Sequence, residues 1–317
     1  MVRWAKRPHD IIKTMDKIYD LIIIGGGPAG LSAAIYARRA NLEVLLIEED
    51  ATGGKLSKIN QIENYPGFQS ISGYDLALQL IEHAKQYDTQ IINDKVIKIE
   101  SDTVYLKNAN PYKAKAILIA TGSKQRKLNI DKANEFEGKG ISYCATCDGF
   151  FFKDKEVIVI GDSNQALQES LYLSNLVSKI TIVNRNERLN ADSSLISKIK
   201  EINKIEIINN SIPESLIIEN NILKGLVIRN INTNASININ GIGIFPYISF
   251  NPSTDFIDQS LLDENGFIYV NNDMSTKKDG LFAAGDCIHK TLRQVVTACS
   301  DGAIAATSII EFLKNKS

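Results

Sequence analysis

The stretch Tyr19-Asp20-Leu21-Ile22-Ile23-Ile24-Gly25-Gly26-Gly27-Pro28-Ala29-Gly30 sets the reading of the whole chain. Its first half is a short β-branched run of the kind that forms a strand buried on both faces, and three glycines stop it. Small residues continue through Ala37, as a helix packed tightly on a sheet requires, and Glu43-Val44-Leu45-Leu46-Ile47-Glu48 supplies a second strand. Strand, glycine turn, helix and strand within about 30 residues make one βαβ unit. In that context Gly25-x-Gly27-x-x-Gly30 reads as a dinucleotide-binding turn. Gly25 permits the tight turn, Gly27 lets the backbone approach a pyrophosphate, Gly30 allows close helix packing, and the helix start offers free N–H groups to the anion. Glu48 closes the second strand where a carboxylate can accept hydrogen bonds from a ribose.

The pattern returns downstream. Glu156 to Ile160 is followed by Gly161-Asp162-Ser163-Asn164-Gln165-Ala166, an amphipathic helix through Leu173, and the strand Lys179 to Asn184. Gly25 to Glu48 and Gly161 to Asn184 both span 23 residues. Equal spacing is the internal repeat expected of two nucleotide-binding domains. The expected fold is α/β, two Rossmann-like three-layer domains with the second inserted into the first. The first covers 1–124 and 249–317, and the insertion covers 125–248. Between the copies the pattern predicts a helix from Gly73 to Tyr87 and extended chain from Ile91 to Ile119, ending in Ala120-Thr121-Gly122. Residues 201–250 hold 15 Ile and 10 Asn. So many β-branched apolar residues exclude disorder and predict two-faced antiparallel strands with Asn at turns. Ala298 to Leu313 reads as a closing helix.

Composition narrows the function classes. The chain has 317 residues, 36 Lys+Arg against 37 Asp+Glu, and 44% hydrophobic residues. A near-neutral balance argues against nucleic acid as the main partner. Four cysteines are too few for a disulfide scaffold, and no secretory h-region precedes Tyr19, so a reducing cytoplasm is expected. The apolar stretch Leu21 to Ala37 is broken by glycines and a proline, which does not fit a membrane span. In the leader, Arg3, Lys6 and Arg7 form either a solvated tail or an attraction for an acidic carrier, and Trp4 has no assigned role.

Cys144-Ala145-Thr146-Cys147-Asp148 is the second chemical signal. In a reducing compartment C-x-x-C is a redox dithiol or half of a zinc site. Zinc needs two more ligands, and Cys287, Cys299, His9, His83 and His289 are poorly arranged for it, so no metal is expected. Cys287 and Cys299 read as buried, inert thiols. Asp148 is placed to shuttle the proton that a dithiol loses on oxidation, or to cap a helix.

Taken together, Gly25 to Gly30, Glu63-Asn64-Tyr65-Pro66-Gly67, Ala120-Thr121-Gly122, Cys144 to Asp148, Ala284-Gly285-Asp286 and Arg293-Gln294 resemble the low-molecular-weight thioredoxin reductases, from about Tyr19 to the C-terminus. The resemblance implies a flavin-dependent disulfide reductase acting on thioredoxin or a thioredoxin-like protein, and a homodimer. It implies FAD held by Gly25, Gly27, Pro28, Ala29, Gly30 and Glu48, by Gly53, Gly54, Lys55, Leu56 and Asn64, by Val96, Thr121 and Gly122, and by Gly285, Asp286, Arg293, Gln294 and Val295. It implies that Cys147 faces the flavin, that Cys144 attacks the partner disulfide, and that Asp148 is acid/base. The two contacts of the dithiol require the inserted domain to rotate about the strands near Thr121-Gly122 and Tyr247-Ile248.

The second nucleotide site departs from that family. Where the family has G-x-G-x-x-A, this chain has Gly161-Asp162-Ser163-Asn164-Gln165-Ala166, which puts a side chain and a carboxylate beside the pyrophosphate position. Where the family has H-R-R-x-x-x-R for the 2′-phosphate of NADPH, this chain reads Asn184-Arg185-Asn186-Glu187-Arg188-Leu189-Asn190. Losing two charged hydrogen bonds costs on the order of 10²-fold or more in affinity. NADPH as donor is therefore doubtful. Three readings stand at this point: weak NADPH binding through Arg185 and Arg188; NADH, although no acidic residue occupies position 184; and a donor other than nicotinamide, such as reduced ferredoxin or a second flavin in the degenerate site. The last is preferred. A rival of another class is a flavin-binding redox sensor without turnover.

Overall fold

The computed structural model describes residues 17–59 and 61–316. The basic leader with Arg3, Trp4, Lys6 and Arg7, and His9, lie outside the described residues. The chain falls into two compact units, Met1–Lys124 with Asn251–Ser317, and Gln125–Phe250.

In the first unit the quoted stretch forms β1 (Ile18–Ile24) and the start of α1 (Pro28–Arg39). It is followed by β2 (Val44–Glu48), α2 (Gly73–Gln86), β3 (Gln90–Asn93), β4 (Val96–Glu100), β5 (Thr103–Leu106) and β6 (Tyr112–Ile119). The sheet order is β3-β2-β1-β6-β5-β4, with β1, β2, β3 and β6 parallel and the β4–β5–β6 edge antiparallel. Chain order reverses between β1 and β6, so their C-terminal ends frame the crevice where parallel α/β sheets bind ligands. Leu21, Ile22 and Ile23 are fully buried, which is why this strand carries no polar alternation. The chain leaves the unit along β7 (Ser123–Gln125).

The second unit repeats the plan on a smaller scale. A single-turn α3 (Ala145–Asp148) precedes β8 (Glu156–Ile160), α4 (Asn164–Ser174), β9 (Lys179–Val183), α5 (Ser193–Lys200) and β10 (Ile205–Ile208). The Ile/Asn-rich region becomes β11 (Ser211–Glu219), β12 (Ile222–Asn230) and β13 (Ser236–Asn240), an antiparallel meander, followed by β14 (Gly243–Pro246). The parallel sheet runs β10-β9-β8-β14. The two-faced reading holds unevenly, since Ile239 is buried while Ile237 at the strand end is exposed.

The chain re-enters the first unit at β15 (Phe250–Pro252), adds β16 (Leu281–Ala283) beside β6, and ends in α6 (Val295–Asn315). Among the described residues α6 is long and apolar enough to cross a membrane. It buries Ala298, Ala305, Ala306 and Ile309 in the core shared with α1. The fit is tight, because a Cβ at Gly302 would lie 2.1 Å from the Ala29 carbonyl oxygen.

Candidate functional site

The candidate cofactor cradle lies at the C-terminal ends of β1 and β6, within the first unit. Gly25 has φ +107, and a side chain there would strike the backbone of Ala120 and Thr121. A Cβ at Gly30 would meet the Gly25 carbonyl oxygen, so the turn and the helix touch without side chains between them. α1 opens at Gly27 with Pro28 in its first turn and no side-chain cap. Its leading amides therefore lack internal acceptors, and among the described residues nothing stands within 4 Å of a Cβ built at Gly27. Gly53 N–H donates to the Gly26 carbonyl, which brings Gly53 and Gly54 to the rim of the same opening. An uncapped helix start beside open space is the donor set a pyrophosphate needs, so these residues fit the diphosphate of FAD.

Glu48 accepts the N–H groups of Gly26 and Asp50, so part of its hydrogen-bonding capacity holds the turn itself. Lys55 Nζ donates to Ser123 Oγ at 2.8 Å and pairs with Asp286 Oδ2 at 3.3 Å, linking three separate segments around the opening. Asn64 Nδ2 donates to Gln294 Oε1, and Gln294 caps α6 just before Val295. Arg293 stacks on Phe267 and donates to the carbonyls of Ile288 and Lys290. It thus shapes the loop that presents Asp286. Thr121 Oγ1 donates to the Ser253 carbonyl, Gly122 takes φ +66, and Gly285 N–H donates to Asp301. Leu56 and Val96 are buried packing residues. Lys290–Asp301, an ion pair at 2.6 Å that anchors this region, carries no sequence signal. Cys287 is buried and its thiol is pushed up to about 11 by that burial. Cys299 is half-buried, with Tyr65 Oη near its sulfur.

The second unit carries the dithiol. Cys144, the cap of α3, and Cys147, within it, form a disulfide. Cys147 N–H donates to Cys144 Sγ at 3.1 Å. Ser142 Oγ donates to Asp148 Oδ2 at 2.6 Å and accepts from Cys144 N–H at 3.1 Å. Asp148 does not cap a helix with its side chain, because that carboxylate is engaged by Ser142. Tyr247, distant in sequence, accepts from Ala145 N–H at 3.1 Å through its buried hydroxyl. Directly after the pair, Phe150 and Phe151 are 68% and 78% exposed. Sequence reasoning missed Ser142 and Tyr247; adjacency to Cys144 was the only available signal for the first, and none existed for the second.

The second glycine turn is stitched shut. Ser163 caps α4, with its Oγ accepting from Ala166 N–H. Asp162 Oδ2 accepts from Asn186 Nδ2 at 2.6 Å, Ser163 bridges Asn190, and Asn164 Oδ1 accepts from Asp192 N–H at 2.7 Å. Asn184, fully buried, donates to Asn209 and accepts from Asn186 N–H. Arg185 and Arg188 are exposed. Gly161 keeps φ +143 against Tyr247, so the turn survives although its helix start is occupied.

Comparison with known proteins agrees with this architecture. Residues 19–302 match the family model for pyridine nucleotide-disulphide oxidoreductases. The thioredoxin reductase of Bacillus subtilis (strain 168) is 39% identical over 303 residues, covering 94% of this chain and 96% of that protein. The thioredoxin reductase of Mycoplasma pneumoniae is 39% identical over 315 residues, covering 97% and 99%. The crystal structure of Lactococcus lactis thioredoxin reductase superposes with a TM-score of 0.90 at 34% identity, covering 94% of this chain and 99% of that one. A parallel α/β unit with an open glycine cradle, a second such unit bearing a Cys-x-x-Cys disulfide, and similarity over nearly the full length place the chain in the pyridine nucleotide-disulphide oxidoreductase family, as an oxidoreductase with its own redox disulfide.

Proposed function

We propose that the protein is an FAD-dependent reductase of thioredoxin or a thioredoxin-like protein whose electrons come from a donor other than NADPH, a reduced ferredoxin-like carrier or a second flavin being favoured. FAD would be held by the Gly25–Gly30 turn, the Gly53–Gly54 rim and the loop of Asp286, and it supplies chemistry that can take electrons singly and deliver them in pairs. The working protein would be a cytoplasmic homodimer, as the family resemblance implies. The chain's own residues do the exchange. Cys144, whose sulfur accepts the Cys147 N–H, attacks the partner disulfide as thiolate. Cys147 gives its thiol proton to Asp148 and displaces the partner from Cys144, so the dithiol becomes a disulfide and the partner a dithiol. Phe150 and Phe151 offer an apolar platform for a protein partner beside the pair.

The observation that carries the donor reading is the Asp162–Asn186 hydrogen bond. A carboxylate sits where a pyrophosphate would approach, and it is tied to the side chain that replaces a phosphate-binding arginine. Ser163 already takes an amide at the α4 start. A second reading, NADPH bound weakly, is favoured by the exposed Arg185 and Arg188 on the same loop. Anaerobic mixing of the flavin-loaded protein with NADPH, NADH and reduced ferredoxin, followed by flavin bleaching, separates the two. Bleaching by the reduced carrier alone is expected, and rapid bleaching by micromolar NADPH overturns the donor assignment. If protein reduced chemically fails to reduce thioredoxin, the reductase reading fails.

A further inference from the structure

We propose that Ser142 is a positioning residue for disulfide exchange, its hydroxyl holding one oxygen of Asp148 so that the other oxygen faces the reacting thiol and carries its proton. The inference rests on the dithiol reading above. Ser142 lies two residues before Cys144 and is 5% exposed, so water does not compete for its hydroxyl. Its oxygen accepts Cys144 N–H at 3.1 Å, and its single proton faces Asp148 Oδ2 at 2.6 Å and the Cys144 carbonyl at 3.2 Å. A hydroxyl has one hydrogen to give, and the shorter, charge-assisted contact takes it. The same side chain therefore fixes the backbone of the attacking cysteine and the orientation of the proton carrier.

In the exchange, the Cys147 S–H bond breaks and an O–H bond forms on Asp148 Oδ1. The Cys147 thiolate attacks Cys144 Sγ, the bond between Cys144 and the partner breaks, and the partner sulfur leaves with the electron pair and takes the proton from Asp148. Enzyme dithiol is oxidised and partner disulfide is reduced, with no further reagent. Without the hydroxyl the carboxylate is free to rotate, and neither of its oxygens is held toward the reacting thiol. Cys144 caps α3 and Cys147 lies within it, Tyr247 on the loop after β14 feels the Asp148 charge, and Tyr172 on α4, which packs against α3, lies against Gly149.

The test uses flavin-loaded protein reduced anaerobically with dithionite, then mixed over a range of pH with oxidised thioredoxin and, separately, with the small disulfide 5,5′-dithiobis(2-nitrobenzoate). Ser142→Ala is expected to slow exchange with both disulfides about tenfold, the loss of one charge-assisted bond. In an Asp148→Asn background the same substitution is expected to leave the rate unchanged, because the two side chains act as one. Ser142→Thr, which keeps the hydroxyl, is expected to retain the wild-type rate and carries the test if the alanine variant loses its flavin spectrum. A wild-type rate in Ser142→Ala, equal losses in both backgrounds, or an alanine-like rate in Ser142→Thr overturns the assignment. If wild-type protein reduces neither disulfide, the dithiol reading falls together with this one; if it is active and Ser142→Ala keeps the wild-type rate, only Ser142 loses its role.

Discussion

Glu169 on α4 should make the protein less stable as pH rises through neutrality. Its Oε2 is buried without a hydrogen-bond partner among the described residues, and burial pushes its carboxyl from 4.5 up to about 7. Its charge is also felt by Tyr247, whose phenol burial pushes well above the ordinary tyrosine range. Between pH 4.5 and about 7 the folded protein keeps a proton that the unfolded chain has released. Stability is therefore lost progressively across that window and stays low above it. The full displacement corresponds to at most about 3 kcal/mol, of which about 2 kcal/mol falls between roughly pH 5.5 and 8.5. Glu169→Gln keeps the shape and removes the titration. Urea unfolding of flavin-loaded wild type and variant at those two pH values, followed by circular dichroism, measures the difference. The variant is expected to gain about 2 kcal/mol relative to wild type on going from the acidic to the alkaline condition. A difference between the two proteins that does not change with pH refutes the reasoning, whatever the absolute cost of the amide.

Other substitutions probe the remaining links. Cys144→Ser should abolish reduction of thioredoxin while the visible flavin spectrum persists; loss of the yellow colour contradicts a role confined to exchange. Phe150→Ala with Phe151→Ala should raise KM for a protein disulfide about tenfold or more and leave a small disulfide unaffected, because only a protein covers that apolar surface. Replacing Asp162 and Ser163 by Gly and Asn186 by Arg should unlock the second turn and tighten NADPH binding on the order of 10²-fold, read by equilibrium titration. Gly302→Ala should cost about 1–3 kcal/mol or more in urea unfolding, since its methyl group would meet the Ala29 backbone.

Much of the fold was legible because buried parallel strands and glycine turns are local patterns. Leu21 to Ile24 must be covered on both faces, and Gly25 and Gly30 must let backbone touch backbone, so the run of residues 19–30 specified strand, turn and helix before any contact was known. The Cys-x-x-Cys pair and the altered second turn were equally visible, being matters of residue type at short spacing.

What the chain does around those motifs depended on the tertiary structure. Arg293 and Glu48 have the right chemistry for a ligand, yet each holds neighbouring backbone groups, because a loop near the cradle needs its own carbonyls and amides paired. The substitutions at Asp162 and Asn186 look like two separate losses when read in order. Only the folding of β8 and β9 side by side brings them to 2.6 Å and turns them into one closed latch. Tyr247 reaches Ala145 across 102 residues, and Glu169 becomes hard to ionise only because a helix face is buried around it. Sequence by itself determined the strands, the turns and the redox pair, since these follow from local backbone and side-chain chemistry. Which polar groups are desolvated, and which partners they find, was decided only by the packing of distant segments.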